Sequence, residues 1–371
     1  MAMLPCLCYL HGHAGRFDMD MLAADIGGTR SRFFRFSCNG GEISIKEGVV
    51  VPSVCDSFDA LLEKIFACRP EDAEKWKKVS LLIFAAAGPV KDGGVSMTNA
   101  SFRVEAGPAL ARFPGARCLV MNDFEAQAWA CLSPAMREAE LLLPGRGVSA
   151  CAERFDFAAL SGLAESRAPV AVLGAGTGLA ESRAPVAVLG AGTGLGAAWL
   201  LPGDGASRGS RVLASEGGHM PFPFEGGRER DFADWLAGRL GGGPVTAEHV
   251  LSGPGLARLY EYLSGTAAEP ALFTAEPGFA GSECCAWYAR FYGRFCRMAA
   301  LALLPQALVL TGGVAEKSPA LVRHGEFAEE FFREREARRQ LLAEIPVWVN
   351  RHPQAGLWGA ARAGAAFAGH A

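Results

Sequence analysis

Apolar positions follow two rhythms along this chain. The first is a short unbroken apolar run that stops at glycine or at a polar pair. "MLAADIGGTRSRFFRFSCNGGEISIKEGVVV" (21–51) has such a run ending at Asp25, a Gly27-Gly28 turn, then a second strand. Its "NGG" at Asn39 is a hairpin signal. "KVSLLIFAAAGPV" (78–90), "RCLVMND" (117–123), "QALVLTGG" (306–313) and "IPVWVNR" (345–351) also predict strands. "APVAVLGAGTGLGAAWLLP" (184–202) reads as strand, glycine turn, strand.

The second rhythm is helical. "SFDALLEKIFAC" (57–68) is amphipathic, with Ser57 as its N-cap. "ALARF" (109–113), "FEAQAWACL" (124–132) and "ERDFADWLAGRL" (229–240) predict further helices. So does the long "SECCAWYARFYGRFCRMAALALL" (282–304). "TAEHVLSGPGLARLYEYL" (246–263) reads as two helices parted by a Ser-Gly-Pro-Gly break, and "GLWGAARAGAAF" (356–367) as a small-residue helix near the end. Strands alternating with helices predict the α/β class.

Length adds two domains to this picture, since 371 residues exceed one ordinary domain. With a net charge of −3, no basic excess points to nucleic acid or an anionic membrane. The 11 cysteines are scattered, with no C-x-x-C and no zinc spacing, so reduced thiols are expected rather than disulfides. The first 20 residues lack the parts of a signal peptide and are expected to be an extension without regular structure. No run is long and apolar enough to predict a membrane span.

One stretch repeats itself. Residues 162–179 match 178–195 at every position, offset by 16, so "GAGTG" occurs at 174–178 and again at 190–194. Two copies cannot stack into a solenoid, which needs three or more units.

Three turns share one design: Asp25-Ile-Gly-Gly-Thr29, Gly190-Ala-Gly-Thr-Gly-Leu-Gly196 and Thr311-Gly-Gly-Val314. Glycine permits positive φ and lets phosphate oxygens reach backbone N–H groups. Taken singly, each is equally a hairpin or a helix cap. The first also carries a carboxylate suited to a Mg²⁺ ion bridging nucleotide phosphates. No G-x-x-x-x-G-K-[ST] occurs, and "GAGTGLG" lacks the following helix and ribose-binding acid of a dinucleotide site.

Polar residues cluster beside these turns. Asn122 and Asp123 end an apolar strand, Glu216 and His219 flank two glycines, and Glu248 lies at a helix edge. Acids, an amide and an imidazole suit a ligand with many hydroxyls. An N-cap role for Asp123 and a solvated surface role for Glu248 stay open at this level.

The ordered set "DIGGTRSR", "TNASF", "NDFEAQA", "GAGTGLG", "SEGGH", "AEHVLSGPGL", "LTGGV" and "HPQAGLWGA" resembles the bacterial glucokinase family, ATP-dependent hexokinases of the actin-like ATPase superfamily. The resemblance covers Met21 to about Phe367. The kinase and repressor group with a cysteine-rich zinc motif fits less well, since no such motif is present.

The resemblance implies a two-domain α/β actin-like ATPase (ribonuclease H-like) fold with a cleft between domains. A small domain would hold 21–132 and about 352–371, and a large one 133–351. It implies a cytoplasmic homodimer that phosphorylates glucose at its 6-hydroxyl with ATP and Mg²⁺. Asp123 would be the general base. Asn122, Asp123, Glu216, His219 and Glu248 would bind sugar. Asp25 would hold Mg²⁺ through water. Gly27, Gly28, Thr29, Gly192, Thr193, Gly194, Gly312 and Gly313 would bind the nucleotide.

Two rivals stay open: a kinase for another sugar, such as mannose or an amino sugar, and a sugar-binding protein without turnover. The repeat also becomes specific. Gly190–Gly196 carries the full family motif, whereas Ala180 stands in place of its last glycine in the first copy. The expectation is that the second copy works and that 162–177 is a loop insertion. In the alternative register the first copy fills the sheet and Thr177 faces phosphate.

Overall fold

The computed structural model describes residues 18–40, 42–97, 100–146, 155, 185–201 and 209–368. Residues 1–17 of the expected extension, Thr98 and Asn99 of "TNASF", and the first repeat copy with Thr177 lie outside them. The chain forms two compact units: 1–135 with 202–212 and 354–371, and 136–201 with 213–353.

The first unit is built on a five-stranded sheet in the order β3-β2-β1-β4-β8. β1 (Met19–Ile26), β2 (Arg30–Asn39) and β3 (Glu42–Pro52) form an antiparallel meander. The first strand thus takes in the last two residues of the expected extension, Met19 and Asp20. Its Asp20 accepts a bond from Arg35 at 2.8 Å. β4 (Leu81–Ala86) and β8 (Arg117–Asn122) continue the sheet in parallel from β1. Every residue of β4 is buried, as expected for a parallel strand covered on both faces. A small antiparallel sheet of β5 (Val90–Lys91), β6 (Gly94–Ser96) and β7 (Arg103–Glu105) stands beside it.

Two helices fix the functional edge of this sheet. The helix Asp123–Ala130 follows β8 directly, and the C-terminal helix Ala355–Ala368 packs against it. A Cβ on Gly359 would stand 1.7 Å from the Ala126 carbonyl oxygen, so only glycine permits this approach. That contact explains the small-residue composition of the final helix. Ser57 caps Phe58–Cys68 as the sequence predicts, accepting from the Ala60 N–H at 3.1 Å.

The second unit is built on a six-stranded sheet in the order β12-β11-β10-β13-β14-β9. Its strands are β9 (Glu140–Leu143), β10 (Val186–Ala191), β11 (Leu195–Leu201), β12 (Arg211–Ser215), β13 (Ala307–Thr311) and β14 (Val347–Val349); β12 runs across the unit boundary. β10 pairs antiparallel with β11 and parallel with β13. Each sheet therefore starts from a glycine-turn hairpin whose first strand pairs in parallel with the next major strand. The second repeat copy supplies β10.

The core of this unit gathers around the 21-residue helix Glu283–Leu303. Phe291 of that helix stacks on Phe232 of the helix Gly226–Arg239, with ring centroids 6.1 Å apart. None of the eight described cysteines with an assigned state is in a disulfide. Among the described residues no helix is long and apolar enough to cross a membrane.

Candidate functional site

In the first unit, strand register assembles the site residues. Ile26 of β1, Ala86 of β4 and Asn122 of β8 stand side by side across the sheet. The Gly27-Gly28-Thr29 turn and the Asn122-Asp123 pair therefore leave from the same sheet edge, two strand spacings or about 10 Å apart. Asp25 lies one residue inside this edge. Gly28 also borders a cavity of about 420 Å³ lined by Ser53, Asp56, Lys64 and Ser101.

Asp25 is directly opposite Arg32 in the hairpin, and Arg32 Nη1 donates to Asp25 Oδ2 at 2.8 Å. Burial pushes the Asp25 carboxyl above its ordinary value, and Arg32 pulls the other way. A partly buried anion of this kind is one that an added cation stabilises. Sequence reasoning missed Arg32, although the pairing is legible in the alternation of "DIGGTRSR".

The N-cap of the helix Asp123–Ala130 is Asn122, not Asp123. Asn122 Oδ1 accepts from the Phe124 and Glu125 N–H groups at 2.8 and 3.3 Å, while its Nδ2 donates to the Gly88 carbonyl at 2.8 Å. Asp123 occupies the first helical position, and its Oδ1 accepts from the Phe124 N–H at 3.0 Å. Two residues on, burial raises the Glu125 carboxyl to about 7. Nothing in the sequence set Glu125 apart from its neighbours.

In the second unit, Glu216, His219 and Glu248 are brought together. His219 Nδ1 lies 2.8 Å from Glu216 Oε2, and its Nε2 lies 3.7 Å from Glu248 Oε1. Glu216 and His219 are exposed, and Glu248 is partly buried. A short backbone pairing holds the set. The Ala247 N–H donates to the Met220 carbonyl and the Phe222 N–H to the Val245 carbonyl, each at 2.9 Å.

The other two glycine turns abut at one edge of this sheet. Gly190 is level with Thr311 in the parallel β10–β13 pair. Gly312 has φ +92°, and a Cβ there would lie 2.6 Å from the Ala191 carbonyl oxygen. Both conditions require glycine. The Gly192–Gly194 turn closes on itself by a 2.8 Å bond from the Gly192 N–H to the Gly194 carbonyl. Its carbonyl at Gly192 accepts from the Gly253 N–H at 2.7 Å. Thr193, at the tip, is exposed, as is Thr29 in the first unit.

A family model described as Glucokinase matches residues 22–183 and 180–366. The chain belongs to the glucokinase family. The two matched pieces meet inside the repeat, as one surplus copy requires.

A glucokinase from Pseudomonas aeruginosa is 30% identical, over 91% of this chain and 92% of its own. A solved glucokinase from an Antarctic psychrotroph has a TM-score of 0.67 at 24% identity, covering 93% of this chain and 98% of that one. A ROK family glucokinase from Streptomyces griseus, solved in complex with glucose and AMPPNP, has a TM-score of 0.53 at 21% identity, covering 93% and 99%. The fold is the two-domain actin-like ATPase fold, and this glucokinase-family chain is an enzyme of the transferase class.

Proposed function

We propose that this chain transfers the γ-phosphoryl group of ATP to the 6-hydroxyl of glucose, giving glucose 6-phosphate and ADP. The observation that carries the reading is the shared sheet edge: the first glycine turn and Asp123 leave it together, a phosphate cradle beside an acid. The Streptomyces griseus neighbour, which holds glucose and AMPPNP, supports the same pair of substrates.

Asp123 accepts the proton of the attacking hydroxyl. A carboxylate suffices as base, because phosphoryl-transfer transition states are loose and the proton leaves late. Asn122 has both oxygen contacts and one N–H committed to the fold, so it offers the sugar a single remaining N–H. Glu216, His219 and Glu248 read the other hydroxyls, which discriminates against sugars that lack them.

The backbone of Gly27, Gly28 and Thr29 contacts the β- and γ-phosphates. Gly192, Thr193 and Gly194 hold phosphate from the second unit, and Gly312 and Gly313 line the nucleoside pocket. A Mg²⁺ ion, when bound, neutralises phosphate charge. The residues fit an ion held through water beside Asp25: one carboxylate oxygen is already taken by Arg32, and no acid or histidine cluster able to cage a metal occurs among the described residues.

Asp123→Asn tests the reading. Turnover should fall by about 10²–10⁴, the usual worth of a positioned base, while glucose binding stays measurable by calorimetry. Near-normal turnover would remove Asp123 from the role. A coupled ADP-release assay over glucose, mannose and an amino sugar fixes the substrate.

A further inference from the structure

The second unit ties its sugar-reading residues to its phosphate turn through one carboxylate. Glu248 Oε1 faces His219, whereas Oε2 accepts from the Leu195 N–H at 2.9 Å, at the end of the Gly192–Gly194 turn. The helix Gly253–Ser264, which follows the helix Ala247–Leu251 that carries Glu248, holds the other end of the turn through Gly253 and the Gly192 carbonyl. Gly218, beside His219, is pressed on the turn too: a Cβ there would lie 1.9 Å from the Leu195 carbonyl oxygen.

Gly194 shows how close the joint is. Its φ lies outside the range that favours glycine, so its backbone suits any residue. Yet a Cβ on Gly194 would stand 2.5 Å from Glu248 Oε2. Gly192, two residues earlier in the same turn, has only the Gly313 nitrogen within contact distance, at 3.9 Å. Gly194 is therefore glycine because the Glu248 carboxylate occupies the space where its side chain would be.

We propose that Glu248 is a positioning residue for the nucleotide turn as well as a sugar contact, so that glucose and ATP bind with positive coupling through it. Sugar bound at one oxygen fixes the carboxylate. The fixed carboxylate sets the shape of the turn that receives phosphate. By linkage the reverse holds with the same factor. This inference rests on the glucokinase reading.

The test is calorimetry on the full chain, titrating glucose with and without AMPPNP and AMPPNP with and without glucose; the coupling is the ratio of the two affinities. Gly194→Ala pushes only the movable end of a side chain, so the fold should persist. It should weaken glucose binding by about fivefold or more, the scale of one distorted hydrogen bond. Gly238→Ala, exposed on the helix Gly226–Arg239 with nothing near its added Cβ, should leave glucose binding within about twofold.

Two further variants give the reciprocal arm, independent of how Gly194→Ala folds. Glu248→Gln keeps an oxygen for the Leu195 N–H and should retain AMPPNP affinity. Glu248→Ala removes that acceptor and should weaken AMPPNP binding by about fivefold. Equal glucose affinity in the wild type and Gly194→Ala, or unchanged AMPPNP affinity in Glu248→Ala, would overturn the proposal. Failure of the wild type to bind glucose would instead refute the glucokinase reading itself.

Discussion

Two polar clusters in the second unit put glutamates to opposite ends. In one, Arg294 is fully buried between Glu229 and Glu330, which are themselves 7% and 3% exposed. Arg294 Nη1 donates to Glu229 Oε2 at 2.5 Å and to the Pro223 carbonyl at 2.9 Å, and its Nε donates to Glu330 Oε1 at 2.9 Å. Burial works against this guanidinium's charge, and the two carboxylates more than offset it. In the other cluster, Glu216 and His219 are 67% and 59% exposed and bond mainly to each other. The first cluster spends its bonding capacity on protein; the second keeps capacity for a ligand. Exposure and unfilled valence, not residue type, separate scaffold from site.

The sharpest way to break this contrast is Arg294→Met. It leaves two buried acids short of their partner, so stability should fall by about 3–5 kcal/mol. A thermal scan should show Tm lower by about 10 °C, while turnover per folded molecule stays within about threefold. A larger kinetic loss at unchanged Tm would make the cluster part of the site.

His219→Ala should do the reverse. Glucose KM should rise about tenfold, worth about 1.4 kcal/mol, with Tm within about 2 °C of wild type. Steady-state kinetics and a melt on the same preparation decide it.

Glu125 sharpens the comparison from between the two extremes, for it is partly buried and has no ion-pair partner among the described residues. Its folded-state value of about 7 lies above the unfolded one, so the folded form binds its proton more tightly. Stability should therefore fall as pH rises from the ordinary Glu value to about 7 and stay flat above that. Glu125→Gln should be more stable than wild type at pH 8 by about 1–2 kcal/mol and lose that advantage near pH 4. Melts across pH would show whether the curves converge.

The smallest effect is expected from deleting residues 162–177. β10 is formed by the second copy, so the shortened chain should fold and keep its activity within about twofold. A folded but inactive deletion would give the first copy a working role.

Much of the fold was legible because its signals are local. Glycine pairs stop apolar runs, Ser57 announces a helix start, and "NDFEAQA" puts a strand end before a helix. The open question over Asp123 resolved in favour of Asn122 as cap, a choice that turns on which side chain bends back to the helix N–H groups. β9 and β12 were not legible. Neither "ELLL" nor "RVLAS" carries the pattern of the side it packs on, since each gains its meaning from a neighbouring strand.

The repeat draws this line most clearly. Its two copies have identical local preferences, so propensity alone gives both the same strand and the same glycine turn. By itself the sequence showed two candidate strand–turn units with the same glycine spacing. Strand pairing put the second copy in the sheet as β10. The second copy meets β11 across a three-residue turn, pairing Ala191 with Leu195, and closing that short loop costs less chain entropy than bridging a further 16 residues. The bond from Leu195 to Glu248 belongs to the same class of fact. It joins residues 53 apart in sequence, and only packing brought them within 2.9 Å.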